Sequence, residues 1–423
     1  MNTKYCYQFE APSDGTCDDS DKSKDRSKLQ WTRDGSGQAT KYGYTSGRLT
    51  KITQSGGDTP TNWVFTYDKA GNRTRATATN ATTEATVSDQ QLSYNALGQI
   101  TTTGYAYDKT GNMTASPGAT YTYNGAQQMT SSTKDGKKTT YEYAGADMNK
   151  LLYQATDGGA EYGYTYGTSD SNGVPVISSR ELVGTGTAAV ISDPTTGQPL
   201  DLRTTDGTTS MYVLDGIGNP VASIADTGAV AYKVTYDAYG KEQVSADGGS
   251  SAQWQQNPYG YKAGIRASNT DTGLTKFGYR WQSSTTGTWI ERDTLDAPLS
   301  PSNANRYAYA GLDPINSSDS SGRSTIGVGV QGCYWICGGV TYSVDSSGHT
   351  GLTFSLGAGN PGVGGSVSSS TGNVGTGFGG DVSCSAGYGS ISADTGGNVG
   401  GSVGTGYSTP FCSASVSQSF QLS

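Results

Sequence analysis

The 423-residue sequence contains one histidine, His349. Catalytic triads, acid–base pairs and metal sites that depend on histidine are therefore excluded from the first 348 residues. Charged residues make up only 15% of the chain and the net charge is −8. A phosphate-binding surface needs clustered lysine and arginine, so the composition argues against a nucleic-acid partner.

Long apolar runs are also missing. The N-terminal residues show no basic segment followed by an apolar run, so we predict no secretory signal in this chain. No segment reaches the roughly 18 apolar residues of a spanning helix. The nearest approach, residues 324–344, is interrupted by Gly, Ser, Thr and Gln, and membrane contact is not predicted.

What the chain does contain is glycine and tyrosine, with 62 and 29 residues respectively. Tyrosine and threonine suit a pleated surface, whereas glycine and asparagine suit tight turns. We therefore predict an all-β protein with many short strands. Disorder is the alternative for a chain that is only 33% hydrophobic, but buried tyrosine rings argue against it.

A short motif recurs between residues 44 and 241. Tyr-Asp-x-x-Gly-Asn occurs at residues 67–72 and 107–112, and related versions occur at 94–99, 214–219 and 236–241. Looser versions begin at Tyr44 and Tyr123. Alternating apolar residues end a strand, the Asp or Asn side chain caps a turn, and the glycine supplies a positive φ. Each unit is thus predicted to be a β-hairpin flanked by tyrosine, and successive hairpins should pair into one curling sheet.

These units resemble the YD repeats of the Rhs family, and a second segment resembles the Rhs-associated core. The matching core residues are Gly278, Arg280, Trp281, Gly287, Trp289, Arg292, Asp293, Asn305, Tyr307, Tyr309, Pro314, Ile315, Asn316, Asp319 and Gly322. The resemblance covers roughly residues 30–323 and implies a partial β-shell closed by the core. It divides the chain into an N-terminal segment (1–30), a YD-repeat sheet (31–275), the core (276–323) and a variable C-terminal domain (324–423).

The resemblance also implies a site of self-cleavage. Some Rhs proteins cut themselves just after the core with its aspartates, which correspond here to Asp293 and Asp319, with Arg292 beside the first. The scissile bond would be near Arg323–Ser324. The chain departs from the family pattern, because Thr294 and Ser320 replace prolines. Asp293 and Asp319 could therefore serve only as turn residues, and both interpretations stay open.

Six cysteines fall into two groups, and we predict disulfides rather than a metal site. The candidates are Cys6 and Cys17 near one end, and Cys333, Cys337, Cys384 and Cys412 near the other. No CxxC motif is present. In the C-terminal domain, similar segments precede Cys384 and Cys412, and each could pair with one of the other two cysteines. Free thiols are the alternative.

The composition changes after residue 323. Residues 324–423 lack Lys, Arg and Glu, and alternate apolar residues with Gly and Ser. We predict a Gly-rich β structure here, with a structureless tract as the alternative. A toxin enzyme needs acids, bases or metal ligands in an active-site pocket, and this tail offers few of them. His349 and Asp345 resemble a dyad but lie in a turn-like sequence.

Together these features predict a structural shell that encloses or displays the C-terminal domain in competition between cells. The alternatives are a self-cleaving aspartyl protease and a carbohydrate- or protein-binding surface. The implied partners are an upstream repeat shell or an immunity protein, and the implied location is secreted or cell-surface, within a larger system. No cofactor and no metal are predicted.

Overall fold

Short hairpins follow one another along the chain, and in the computed structural model they build open antiparallel sheets. The structure describes residues 3–7, 28–170, 173–193, 196–245, 248–293 and 305–322, together with the backbone of four strands between residues 325 and 421. The predicted all-β shell fold is confirmed. Among the described residues, no helix is long and apolar enough to cross a membrane.

The first sheet has seven strands in the order of the chain, as expected when each hairpin pairs with the next. Its strands are β1 (Lys4–Cys6), β2 (Trp31–Arg33), β3 (Ala39–Thr45), β4 (Arg48–Ser55), β5 (Thr61–Tyr67), β6 (Arg73–Asn80) and β7 (Thr86–Gln91). Leu49, Ile52 and Phe65 are buried on one face and pack against Ile315 of the predicted core segment.

The second sheet has fourteen strands, again in chain order. They are β8 (Ala106–Tyr107), β9 (Met113–Ser116), β10 (Ala119–Tyr123), β11 (Met129–Lys134), β12 (Lys137–Ala144), β13 (Asp147–Thr156), β14 (Glu161–Ser169), β15 (Pro175–Leu182), β16 (Gly186–Ser192), β17 (Pro199–Arg203), β18 (Thr209–Leu214), β19 (Pro220–Ala225), β20 (Val230–Tyr236) and β21 (Glu242–Val244). Alternate residues such as Tyr141, Tyr164 and Tyr212 point to one buried face.

Residues 248–293 and 305–322 pack against the buried faces of both sheets. They begin with the short helix α1 (Ala252–Gln256) and continue into a four-stranded sheet of β22 (Ile265–Arg266), β23 (Leu274–Phe277), β24 (Arg280–Ser283) and β25 (Thr288–Trp289). Short 3-10 turns cover Gly248–Ser250, Tyr261–Ala263, Thr270–Thr272 and Ala310–Leu312. Trp281 and Ile290 join the main hydrophobic cluster of the fourteen-stranded sheet.

The predicted turn chemistry is confirmed at the YD motifs. In the turn at residues 68–72, Asp68 Oδ1 accepts a hydrogen bond from the Asn72 amide nitrogen at 2.9 Å, and Asn72 Nδ2 donates to Asp68 Oδ2 at 2.8 Å. Gly71 adopts φ +83°. The turns at 108–112 and 215–219 repeat this arrangement.

The YD turns dock on the residues of the core segment. Asn305 Nδ2 donates to Asn72 Oδ1 at 2.8 Å, and Tyr307 Oη donates to the Gly111 carbonyl at 2.7 Å. Tyr307 also packs edge-on against Tyr107. The core segment thus contacts turns from both sheets.

The C-terminal strands form a separate four-stranded antiparallel sheet, in agreement with the predicted β tail. They are β26 (Thr325–Asp345), β27 (Thr350–Ser370), β28 (Gly377–Asp394) and β29 (Val399–Gln421), in the order β26-β27-β29-β28. The backbone of Cys384 lies opposite that of Cys412 in this register. His349 lies outside the described residues.

Candidate active site

Arg280 is the centre of the candidate site. It is the first residue of β24, directly after the tight turn that joins β23 to β24, and its side chain is only 6% exposed. Its guanidinium lies over the ring of Trp289, 4.3 Å from the ring centroid. A buried guanidinium requires partners of opposite charge or polar acceptors on every side.

The two aspartates predicted from the sequence meet at this guanidinium. Arg280 Nη2 lies 2.8 Å from Asp293 Oδ2 and 3.3 Å from Asp319 Oδ2. The side chains of Asp293 and Asp319 are 11% and 13% exposed. The two carboxyl groups thus contact the same nitrogen of one buried guanidinium.

The same arginine also binds the backbone around these aspartates. Arg280 Nε donates to the Gly322 carbonyl at 2.7 Å, and Nη1 donates to the Arg306 carbonyl at 3.3 Å. The Asp293 amide nitrogen donates to that same Arg306 carbonyl at 3.0 Å. Gly322 directly precedes the predicted scissile region, whose residues Arg323 and Ser324 lie outside the described residues.

A tight turn presents Gly322 to Arg280. The Gly322 amide nitrogen donates to the Asp319 carbonyl at 3.3 Å, and Ser321 Oγ donates to Asp319 Oδ1 at 3.2 Å. Gly322 adopts φ +64°, which glycine tolerates without steric strain. The turn therefore forms although Ser320 occupies the position where the family pattern has proline.

Close backbone contact fixes this turn against the β23–β24 hairpin. The Tyr279 amide nitrogen donates to the Ser321 carbonyl at 2.9 Å. A Cβ atom on Gly278 would lie 2.0 Å from that carbonyl oxygen, and Gly278 has φ +43°. Only glycine allows the approach at this position.

Two further ionisable groups are buried beside Arg280, Lys276 on β23 and Glu291 just after β25. Glu291 Oε2 accepts a hydrogen bond from the Trp281 amide nitrogen at 2.8 Å, and Lys276 Nζ donates to the Gly278 carbonyl. Burial raises the pKa of Glu291 to about 7 and lowers the pKa of Lys276 to about 7. Their mutual attraction opposes both shifts.

Arg292 lies apart from the contacts described for the aspartates. It is exposed, and its side chain approaches Gly111, where a Cβ atom would meet Arg292 Cβ at 3.0 Å. Arg280 belongs to the cluster although the sequence did not single it out as a site residue. The signal was present, because Arg280 belongs to the core motif, but its distance along the chain from both aspartates concealed the contact.

The other predicted site residues are distributed as follows. Cys6 is buried and disulfide-bonded, and Cys17 lies outside the described residues. For Cys333, Cys337, Cys384 and Cys412 only the backbone is described, so their disulfides stay predictions. Within the described part of the chain, no group of three or more His, Cys, Asp or Glu residues could hold a metal ion.

Comparison with known proteins gives one family match and several similar chains. Residues 21–315 match the family model described as Teneurin YD-shell. The tRNA3(Ser)-specific nuclease WapA of Bacillus spizizenii is 26% identical over 280 residues, and the tRNA nuclease WapA of Bacillus subtilis strain 168 is 25% identical over 300 residues. Each alignment covers 65% of this chain and 11% of the relative. The chain therefore spans only a small part of the length of these relatives.

Among solved structures, the Tc holotoxin pore of Photorhabdus luminescens aligns with a TM-score of 0.49 and 14% identity. The alignment covers 70% of this chain and 17% of that chain. A TcdB2–TccC3 complex aligns over the same share of this chain and 18% of that chain, with a TM-score of 0.37 and 14% identity.

Proposed function

Because this chain belongs to the teneurin YD-shell family, we propose that it is a shell of the Rhs type that presents its C-terminal residues 324–423 in competition between cells. Support comes from the docking of YD turns on the core segment and from the family match over residues 21–315. The curated relatives are nucleases by name, which is a property of those longer proteins.

This proposal is tested by competition between bacterial strains. One strain exports the full chain, and a matched strain exports the same chain ended after residue 323. We expect that only the strain with the full chain lowers the survival of neighbouring cells. Equal survival beside both strains would count against a harmful cargo in residues 324–423.

A second function, self-cleavage at the core, is supported by one observation: Arg280 joins Asp293, Asp319 and the Gly322 carbonyl in a single buried cluster. One carboxylate accepts a proton from a water molecule, whose oxygen forms a new bond to the carbonyl carbon of Arg323. The other carboxyl group donates its proton to the nitrogen of Ser324 as the C–N bond breaks. One water is consumed, and a carboxylate and an amine are formed.

The test compares the wild-type chain with Asp293→Asn and Asp319→Asn variants. Asparagine keeps the size of the side chain but can neither accept nor donate the transferred proton. We expect each variant to remain full-length while the wild type is cut. Asp215→Asn is the control, because Asp215 caps a YD turn away from Arg280. Cleavage of the Asp319→Asn variant at the wild-type rate would remove the aspartates from the mechanism.

The binding alternative has less support from the described contacts. Tyrosine rings that could stack on sugars are instead buried or half-buried, and among the tyrosines whose side chains the structure describes only Tyr7 is exposed. A secreted or cell-surface location, and partnership with an upstream repeat shell or an immunity protein, remain part of the proposal.

A further inference from the structure

The segment that carries Asp319 and Gly322 to Arg280 is held in a strained conformation. Three successive residues, Ala310, Gly311 and Leu312, adopt positive φ angles of +49°, +62° and +67°. Residues with a side chain rarely adopt this region, and such strain persists only where surrounding contacts impose it. The contacts that impose this strain therefore also help to place Asp319, which follows Leu312 by seven residues.

Those contacts come from the other end of the described chain. Lys28 Nζ forms an ion pair with Asp313, and the Leu29 amide nitrogen donates to Asn316 Oδ1 at 2.6 Å. Asn316 Nδ2 in turn donates to Asp313 Oδ1 at 2.9 Å and to Oδ2 at 3.0 Å. Lys28 and Asn316 thus both bind the carboxylate of Asp313, the residue directly after the strained turn.

The ion pair with Lys28 matters for Asp313 because the Asp313 side chain is buried. The side chain of Asp313 is 4% exposed, and that of Lys28 is 18% exposed. A buried carboxylate that loses its cation keeps the full penalty of removal from water. Without Lys28, Asp313 would gain by moving toward solvent, and residues 310–322 would be drawn with it.

Residues 28–29, which we call the N-terminal strap, are themselves firmly attached to the first sheet. Leu29 is fully buried, and Tyr44 Oη donates to the Leu29 carbonyl at 2.7 Å. Lys28 lies over the Tyr44 ring, 5.2 Å from its centroid. The strap therefore connects the folded seven-stranded sheet to the core segment.

We propose that Lys28 and Leu29 are positioning residues for the cleavage site, so that Asp319 reaches Arg280 only after the first sheet has folded onto the core. This inference rests on the proposed self-cleavage. Its consequence is an order of events, in which the C-terminal domain is released only from a chain whose shell is already assembled at both ends.

The test measures the first-order rate of cleavage in the full chain at a temperature where every variant is folded. Lys28→Met keeps the length of the side chain and removes its charge, whereas Lys28→Arg keeps the charge. We expect Lys28→Met to slow cleavage by about tenfold or more, and Lys28→Arg to stay within about threefold of wild type. Lys51→Met, at an exposed lysine of β4, is the control and should cut at the wild-type rate.

A second measurement separates the strap from the chemistry. In the uncleavable Asp319→Asn background, Lys28→Met should raise amide hydrogen exchange in residues 305–322 but leave β12 and β13 unchanged. A wild-type chain that never cuts would overturn the proposed self-cleavage itself. A wild-type chain that cuts, with Lys28→Met equally fast or with unchanged exchange in 305–322, would overturn only the role of the strap.

Discussion

At the scale of single residues, Arg280 determines how three distant segments meet. Its guanidinium contacts Asp293, Asp319 and the Gly322 carbonyl while it lies over Trp289. Loss of a surface ion pair changes the free energy of unfolding little. Loss of a buried cation that balances two carboxylates lowers it strongly.

Replacement of Arg280 by methionine should therefore lower the free energy of unfolding by about 3–5 kcal/mol, because two buried carboxylates lose their cation. Denaturant melts of the full chain measure this loss. Arg75→Met is the matched control, since Arg75 pairs with Asp89 at the surface, where the side chains are 50% and 30% exposed. That control should change stability by less than about 1 kcal/mol, and equal losses in both variants would contradict the account.

Lys276 gives a prediction about pH. Burial lowers the pKa of Lys276 to about 7 in the folded protein. Below that pH the side chain is charged but removed from water, and the whole desolvation penalty destabilises the fold. The folded form loses this proton near pH 7, whereas the unfolded chain keeps it up to the ordinary lysine range, so the penalty shrinks as the pH rises between those two values. Burial also raises the pKa of Glu291 to about 7, so this carboxyl group is mostly protonated at pH 6 and ionised at pH 9.

Lys276→Met removes the charged group and keeps its length. We expect this variant to raise the melting temperature relative to wild type, and to raise it more at pH 6 than at pH 9. Thermal melts monitored by circular dichroism at the two pH values make the comparison. A gain that is equal at both values, or greater at pH 9, would show that the charge of Lys276 is not the source of the penalty.

At the scale of elements, the YD turn is a local structure that the sequence specifies almost completely. Asp or Asn accepts backbone hydrogen bonds within four residues, and the glycine takes a positive φ, so no distant partner is needed. The hairpins and their order in the sheets could therefore be predicted. The sequence did not reveal that the turns dock on the core, because Asn72 and Asn305 are distant along the chain.

Asn72→Ala tests the turn as an element. It removes the hydrogen bond to Asp68 Oδ2 and the one from Asn305, and we expect a loss of about 1–3 kcal/mol in unfolding free energy. Lys241→Ala is the control, because Lys241 is exposed at the equivalent turn position, where Asp237 binds its backbone nitrogen. That change should remain within about 0.5 kcal/mol, and a larger loss there than at Asn72 would contradict the prediction.

At the scale of the whole molecule, contacts between distant parts of the chain create the candidate site. Asp293 and Asp319 could be chosen from their positions in the core motif, whereas the contribution of Arg280 required β24, residue 293 and the turn at 319–322 to come together. The contact between Lys28 and Asp313 spans 285 positions along the chain, and no local pattern indicates it. The repeated architecture could therefore be predicted from the sequence, and so could the choice of Asp293 and Asp319 as candidates, but not the contacts that bring these two side chains together.

The proposed cleavage of the chain after the core by this buried cluster can be tested directly. The most direct measurement is the intact mass of the purified full chain during incubation, by mass spectrometry under denaturing conditions. We expect the full-length mass to be replaced by those of two fragments, which together exceed it by one water. The smaller fragment should begin at Ser324. A wild-type chain that keeps its full-length mass, or that is cut at a site remote from Gly322, would contradict it.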